Sequence, residues 1–189
     1  MKKAYLIHGW DGTPDNWWFP WLTHELEKLD FKVISLNMPD SKIPRMKTWL
    51  SHAAKEIHSD KDTIFIGHSI GCQTIMRHLA NTNQKVKACF FVAGWFTLDL
   101  HLDTEEAKEV ARPWLEINID FNKLKNSCSN YRVFLSKDDP VVPFKENKEL
   151  FEKNLNAKVI VENDRGHYDS EDEIPELLNE IIKLNSKTI

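Results

Sequence analysis

The residues best suited to chemistry in this chain lie in the segment Gly67-His68-Ser69-Ile70-Gly71. A short apolar run precedes this Gly-x-Ser-x-Gly pattern and a helical pattern follows it. That order is typical of a nucleophile elbow, in which a serine lies on a sharp strand-to-helix turn. Because a serine hydroxyl is a weak nucleophile at neutral pH, the chain must also supply a base, an acid that orients the base, and donors for an oxyanion.

Two later segments supply candidates for the base and the acid. His167 follows Asn163-Asp164-Arg165-Gly166, and an imidazole can accept the serine proton near neutral pH. Asp139 precedes a proline, and its carboxylate can hold the second ring nitrogen. Asp138 is the chief rival for that role. A turn aspartate and a loop histidine are the structural alternatives for Asp139 and His167.

Two backbone N–H groups are candidates for the oxyanion hole. Ile70 opens the helix after the serine, and Trp10 follows the first apolar run in His8-Gly9-Trp10. Removing one donor of this kind typically costs about 3–4 kcal/mol in the barrier. We expect His8 and His68 to have structural roles in their turns.

These residues need a scaffold that brings their loops together. Apolar, β-branched or aromatic runs predict strands at 4–7, 32–36, 63–66, 87–93, 132–135 and 158–161. Helical spacing of apolar residues predicts helices at 17–29, 45–58, 70–80, 144–155 and 172–184. Alternation of strands and helices, with strands apolar on consecutive positions, indicates a mostly or wholly parallel sheet of about six strands with helices on both faces. The candidate residues all follow strands, at the edge where such sheets bind ligands.

One connection, 94–130, is longer than the others and holds no clear strand. Glu105 and Glu106 follow a helix-start signal at 103–104, and Pro113 is interpreted as a helix breaker. We interpret 94–130 as a small insertion beside the active site, a minimal cap. No linker or repeat interrupts the chain, so residues 1–189 are predicted to form one domain.

Composition excludes several classes of protein. The chain has 189 residues, 41% of them hydrophobic, and a formal net charge of -4 with no long basic run, so nucleic acid is not expected as a partner. No apolar run is long enough for a membrane span or a secretory leader. Three cysteines without a Cys-x-x-Cys pair, and histidines without ligand spacing, predict a cytoplasmic protein with no metal and no cofactor.

Aromatic residues cluster in the loops that open onto the predicted catalytic edge. Trp17 and Trp18 follow the first strand, and Trp95 and Phe96 follow the fourth. One hypothesis is that they wall an acyl or aryl pocket. The alternative is that most of them pack in the core.

The motifs resemble those of the α/β-hydrolase superfamily, and in particular the small serine hydrolases related to retinoblastoma-binding protein 9. The matching pieces span nearly the whole chain: Leu6-Ile7-His8-Gly9, Gly67-His68-Ser69-Ile70-Gly71, Asp138-Asp139-Pro140-Val141-Val142-Pro143 and Gly166-His167. The resemblance implies a three-layer fold and selects Asp139 over Asp138. The motif Leu-x-Cys-x-Glu is missing from the sequence, so the resemblance implies no retinoblastoma-protein partner.

From these residues we expect a serine hydrolase that cleaves an ester, thioester or amide through an acyl-enzyme on Ser69. A small-molecule acyl substrate is expected. Two alternatives remain open: a binding protein on the same fold with little turnover, and an acyltransferase. The sequence does not separate water from another acceptor, and it does not indicate an oligomeric state.

Overall fold

The computed structural model describes residues 2–99 and 104–186. Its strands are β1 (Lys2–Ile7), β2 (Phe31–Leu36), β3 (Ile64–His68), β4 (Ala88–Val92), β5 (Tyr131–Ser136) and β6 (Lys158–Glu162). Its helices are α1 (Phe19–Lys28), α2 (Met46–Glu56), α3 (Ile70–Thr82), α4 (Glu105–Glu116), α5 (Phe121–Ser127), α6 (Phe144–Leu155) and α7 (Pro175–Ser186). Each predicted strand lies at its predicted place in the sequence, within two residues at either end.

The strands form one parallel sheet in the order β2-β1-β3-β4-β5-β6. The chain runs outward from β1 to β2 and then returns to β3 on the other side of β1. The connections that follow β1 and β3 run to opposite sides of the sheet. A crevice therefore opens between the carboxyl ends of these two adjacent strands, and ligands of open α/β sheets bind in such a crevice. Ser69 follows β3 and Trp10 follows β1, so both lie at this crevice.

Alternate residues of the strands separate two apolar cores, because successive side chains point to opposite faces of a sheet. Tyr5 and Ile7 join one core, with helices α2, α3, α5 and α6. Ala4 and Leu6 join the other, with α1 and α7. The fold is therefore the expected three-layer α/β-hydrolase sandwich. β3 and β4 are buried along their whole length, which explains their unbroken apolar sequences.

The long connection 94–130 contributes α4 and α5, and four residues of it, 100–103, lie outside the described residues. The side chain of Thr104 accepts a hydrogen bond from the backbone N–H of Ala107, as expected of an N-cap at the helix-start signal. The prediction that Pro113 ends this helix is wrong. Pro113 lies in the last turn of α4, where its missing N–H removes a single intrahelical bond before the helix ends at Glu116.

The first helix starts two residues later than predicted. Trp17 has a positive φ of 51°, a conformation that a helix cannot include. The helix begins at Phe19, with Pro20 in its first turn, where a missing backbone N–H costs nothing. Trp17 is therefore a loop residue above the sheet. Within residues 2–99 and 104–186, no helix is long and apolar enough to cross a membrane.

Candidate active site

Ser69 lies on a strained turn between β3 and α3. Its φ of 50° and ψ of -119° are unusual for a residue with a side chain, and its N–H donates to the carbonyl of Val92 at 2.9 Å. The two glycines of the pattern are required by close approach. A Cβ on Gly67 would lie 2.8 Å from the backbone nitrogen of Cys72, and one on Gly71 only 2.2 Å from the carbonyl oxygen of Ile7.

The three residues predicted as nucleophile, base and acid lie in one hydrogen-bonded line. The Oγ of Ser69 is 2.9 Å from Nε2 of His167, and Nδ1 of His167 is 2.9 Å from Oδ2 of Asp139. A neutral imidazole that carries its proton on Nδ1 donates to the carboxylate and accepts from the hydroxyl. This tautomer leaves Nε2 free to take the serine proton. The His167 side chain is 12% exposed and that of Asp139 is 2% exposed.

Asp138 and Asp139 have different partners, although they are neighbours. Besides His167, Asp139 accepts the N–H groups of Val141 and Val142 through Oδ1, at 2.8 and 2.9 Å. This turn fixes the carboxylate and leaves Oδ2 for the imidazole. Asp138 accepts from the hydroxyl of Ser136 and from the N–H of Gly166. Asp138 therefore holds the loop before His167 and makes no contact with the ring.

The loop that carries His167 is also tied to two elements on the far side of the site. Nε2 of His68, the residue before the serine, lies 2.8 Å from the carbonyl oxygen of His167. The indole N–H of Trp18 donates to the carbonyl of Tyr168 at 3.2 Å. The elbow and the β1–α1 connection therefore help to set the position of His167.

His68 is a neutral ring that donates a hydrogen bond to the carbonyl of His167. Burial lowers the pKa of His68 to about 3, with a smaller contribution from the nearby His167 ring. A neutral His68 that donates through Nε2–H leaves Nδ1 bare, and Nδ1 has no hydrogen-bond partner among the described residues. A Cβ on Gly9 would lie 2.8 Å from this Nδ1, so the glycine leaves room for the ring.

His68 therefore gives a test of positioning. His68→Leu removes the hydrogen bond to His167, and we expect kcat to fall about tenfold, because even a small misplacement of a catalytic group is costly, with little change in KM. His68→Gln places an amide N–H near the same point and is expected to restore most of kcat. Steady-state kinetics on a p-nitrophenyl ester would measure both. Equal losses in the two variants would contradict the donor role.

The loop after β1 is fixed by a second buried histidine. Nδ1–H of His8 donates to the carbonyl of Gly9 at 2.8 Å, and Nε2 accepts the N–H of Met38 at 3.0 Å. Burial lowers the pKa of His8, so the ring is neutral and can do both. Among the described residues, neither the backbone N–H of Trp10 nor that of Ile70 donates a hydrogen bond to a backbone carbonyl. Both residues line the cavity above Ser69.

This cavity has a volume of about 380 Å³, within the range of ligand sites. It is lined by the loops after β1, β4, β5 and β6, by the elbow between β3 and α3, and by α4, with these residues: Trp10, Trp17, His68, Ser69, Ile70, Trp95, Leu98, Ala107, Ala111, Val141, His167 and Asp169. Trp17 and Trp95, two residues of the aromatic-wall hypothesis, line this cavity. Its surface is mostly apolar, and the Ser69 hydroxyl and the His167 imidazole are among its polar groups.

The other two aromatic residues of that hypothesis, Trp18 and Phe96, are not among the residues that line this cavity. Trp18 is fully buried in the core under α1 and α7, where its ring stacks on Phe19 with centroids 4.2 Å apart. Phe96 packs on Phe151, with centroids 4.5 Å apart, on the α6 side of its loop. Each comes directly after a residue that lines the cavity, since Trp18 follows Trp17 and Phe96 follows Trp95. In both pairs, the two neighbouring side chains therefore lie in different surroundings.

Several residues that shape the site were not predicted from the sequence. Ala107 and Ala111 line the cavity from α4, and Asp169 lies at its rim. The one feature of the sequence that could have indicated a shared role for the two alanines is their four-residue spacing, which places them on the same face of a helix. Among residues 2–99 and 104–186, no cluster of three histidine, cysteine, aspartate or glutamate side chains could hold a metal ion.

The sequence matches the family described as "Serine hydrolase" over residues 4–182. It is 36% identical to the serine hydrolase RBBP9 of Rattus norvegicus over 170 residues, which cover 88% of this chain and 87% of that protein. It is 28% identical to the putative hydrolase YdeN of Bacillus subtilis over 168 residues, which cover 88% of this chain and 86% of that protein.

Solved structures give the same result for the fold. The ydeN gene product of B. subtilis superposes with a TM-score of 0.85 at 25% identity, over 98% of this chain and all (100%) of that one. Est1E of Butyrivibrio proteoclasticus superposes with a TM-score of 0.74 at 14% identity, over 98% of this chain and 88% of that one, and supports the fold alone. With a family match over almost its whole length, the chain belongs to the serine hydrolase family and is a hydrolase on an α/β-hydrolase fold.

Proposed function

We propose that this hydrolase cleaves carboxylic esters, or the related thioesters, through an acyl-enzyme on Ser69. His167 takes the hydroxyl proton as Oγ of Ser69 attacks the carbonyl carbon, and the N–H groups of Trp10 and Ile70 stabilise the oxyanion. The imidazolium, held by Asp139, then gives the proton to the leaving alcohol. Water, deprotonated by His167, attacks the acyl carbon, the bond from that carbon to Oγ of Ser69 breaks, and the acid is released. The imidazolium returns its proton to Oγ, which restores the free enzyme.

One observation carries the proposal: Oγ of Ser69, the ring of His167 and Oδ2 of Asp139 lie in a line with 2.9 Å at each step. Structural serines and histidines rarely combine such a line with a strained serine at a helix N-terminus and an apolar cavity above it. Ile70 N–H, as the first helical donor, has no intrahelical acceptor and points where negative charge would develop.

We further propose that residues 1–189 form one catalytic domain that works in the cytoplasm on a small acyl substrate, without a cofactor. The three cysteines, Cys72, Cys89 and Cys128, are free and buried, which fits a reducing compartment. The three proposed catalytic side chains complete the reaction by proton transfer and acyl transfer alone.

Covalent labelling tests this proposal. A fluorophosphonate is expected to phosphonylate Ser69, with loss of fluoride, and mass spectrometry of the peptide that contains residue 69 would locate the adduct.

Labelling of another residue instead of Ser69 would contradict the assignment. An unlabelled but folded protein would favour a binding role instead. Circular dichroism before labelling establishes that the protein is folded under each condition.

A further inference from the structure

We infer that α4 forms the acyl-binding wall of the active site, and that Ala107 and Ala111 limit the length of an uncharged, apolar acyl group. This inference rests on the proposed acyl-enzyme mechanism and goes beyond it, because it assigns the substrate class and the side chains that select it. It also gives α4, the helix of the long connection that lines the cavity, a function as a fixed wall.

The two alanines present the smallest side chains that a helix can offer without glycine. They lie four residues apart, so they share one face of α4, and both line the cavity. Ala111 is 1% exposed, whereas Arg112, the next residue, lies on the exposed side of the helix. Larger side chains at 107 and 111 would occupy the volume that an acyl chain needs.

The acyl and leaving groups can be assigned to opposite ends of the cavity. The leaving oxygen must lie beside Nε2 of His167, which protonates it. The ring of Trp17 is 5.5 Å from that of His68, which is 5.1 Å from that of His167, so Trp17 belongs to the leaving-group end. Trp95, by contrast, is held by α3 beyond the serine: Nε2 of Gln73 donates to its carbonyl at 2.6 Å. The acyl group therefore lies between Trp95 and α4.

Charge argues for a neutral acyl group. The described lining residues include the carboxylate of Asp169 at the rim and no lysine or arginine. The apolar residues that line the cavity include Trp95, Leu98, Ala107 and Ala111. An acyl group with a terminal carboxylate would lose its hydration there without gaining a cationic partner, and the carboxylate of Asp169 would repel it.

α4 is anchored tightly enough to act as a wall. The indole N–H of Trp114 donates to the carbonyl of Pro44 at 2.8 Å, and Nη2 of Arg77 donates to the carbonyl of Trp114 at 2.7 Å. Arg77 and Gln73 lie on successive turns of α3, the helix that begins after Ser69. The wall is therefore fixed relative to the nucleophile, and a larger side chain at 107 or 111 fills the cavity instead of displacing the helix.

The experiment compares kcat/KM for p-nitrophenyl acetate, butyrate and hexanoate in Ala107→Leu, Ala111→Leu and the control Arg112→Leu, which adds the same side chain to the outer face. In each alanine variant the hexanoate-to-acetate ratio is expected to fall about tenfold or more, since steric exclusion from a rigid pocket acts on each added methylene. The control is expected to keep the wild-type ratio. Leu98→Ala, which shortens a wall side chain, is expected to raise it.

Two further substrate series locate the effect. Alkyl butyrates of increasing alcohol length are expected to respond little to Ala107→Leu, and p-nitrophenyl hemisuccinate is expected to react at least tenfold more slowly than the butyrate in the wild type. Because Ala107 is half-buried, its variant provides the test even if Ala111→Leu does not fold.

The outcomes separate the two proposals. If a fluorophosphonate does not label Ser69 in the wild type, the acyl-enzyme mechanism is wrong. If Ser69 is labelled at the wild-type rate in Ala107→Leu but the acyl-length profile is unchanged, or the alcohol series changes instead, the mechanism stands and the assignment of α4 as the acyl wall is overturned.

Discussion

Ser69→Ala is expected to lower kcat for p-nitrophenyl acetate by about 10⁴-fold or more, to the level of residual catalysis by binding and the oxyanion hole. The reason is that Oγ of Ser69 is the atom placed 2.9 Å from the base, and the reaction has no second nucleophile at that position. Initial rates at substrate concentrations above and below KM would measure kcat and KM separately, and KM is expected to change little.

The fold should tolerate this change. The strained backbone at Ser69 is held by its N–H bond to Val92 and by the close packing of Gly71 on β1, and neither depends on the hydroxyl. Ser51→Ala, on the exposed side of α2, is a suitable control that removes a hydroxyl far from the site. Retention of more than about one hundredth of the wild-type kcat in a folded Ser69→Ala protein would reject Ser69 as the nucleophile.

Asp139→Asn is expected to lower kcat by about 10⁴-fold, although it changes only one atom. The amide oxygen can still accept the N–H groups of Val141 and Val142, which leaves the amide NH₂ facing Nδ1 of His167. An NH₂ group there forces Nδ1 to be the acceptor and moves the ring proton to Nε2. A protonated Nε2 cannot take the proton of Ser69. Steady-state kinetics, with an unfolding curve for each protein, would measure the effect.

The neighbouring residue provides a matched control. Asp138→Asn makes the same change one position earlier, on a carboxylate that holds Gly166 and Ser136 and does not contact the imidazole. We expect it to lower kcat by less than about tenfold, because it disturbs only the approach of the loop to the ring. If Asp138→Asn caused the larger loss, the assignment of the orienting carboxylate would have to be reversed.

Ser69, His167 and Asp139 could be proposed as nucleophile, base and acid from the sequence because each is part of a local pattern. Gly67 and Gly71 are needed within one turn of Ser69, and the proline after Asp139 marks its loop. The parallel sheet then brings the three loops to one edge, as βαβ topology requires. The parallel sheet and its cover of helices on both faces also follow from local patterns, since burial on both sides demands unbroken apolar strands.

The walls of the cavity could not be predicted in the same way. Trp17 and Trp18 are adjacent and chemically identical, yet the positive φ of Trp17 directs one ring to the cavity while the other is buried beneath α1. No local pattern distinguishes them. The contribution of α4 depends on how a helix from the long connection packs across α2 and α3, and long-range packing of this kind leaves no signature in the spacing of residues.

The position of β6 at the edge of the sheet affects how the candidate site would unfold. Ser69 follows β3, which is buried throughout, whereas His167 follows β6, an edge strand with partly exposed residues and one neighbour. Stability is not uniform in a protein, and edges open at lower free energy than the centre. We therefore expect a sub-global opening that releases β6 and α7 to carry His167 away while the elbow stays folded. Under the proposed mechanism, the rate of hydrolysis would then report the local stability of one edge rather than the global stability of the domain.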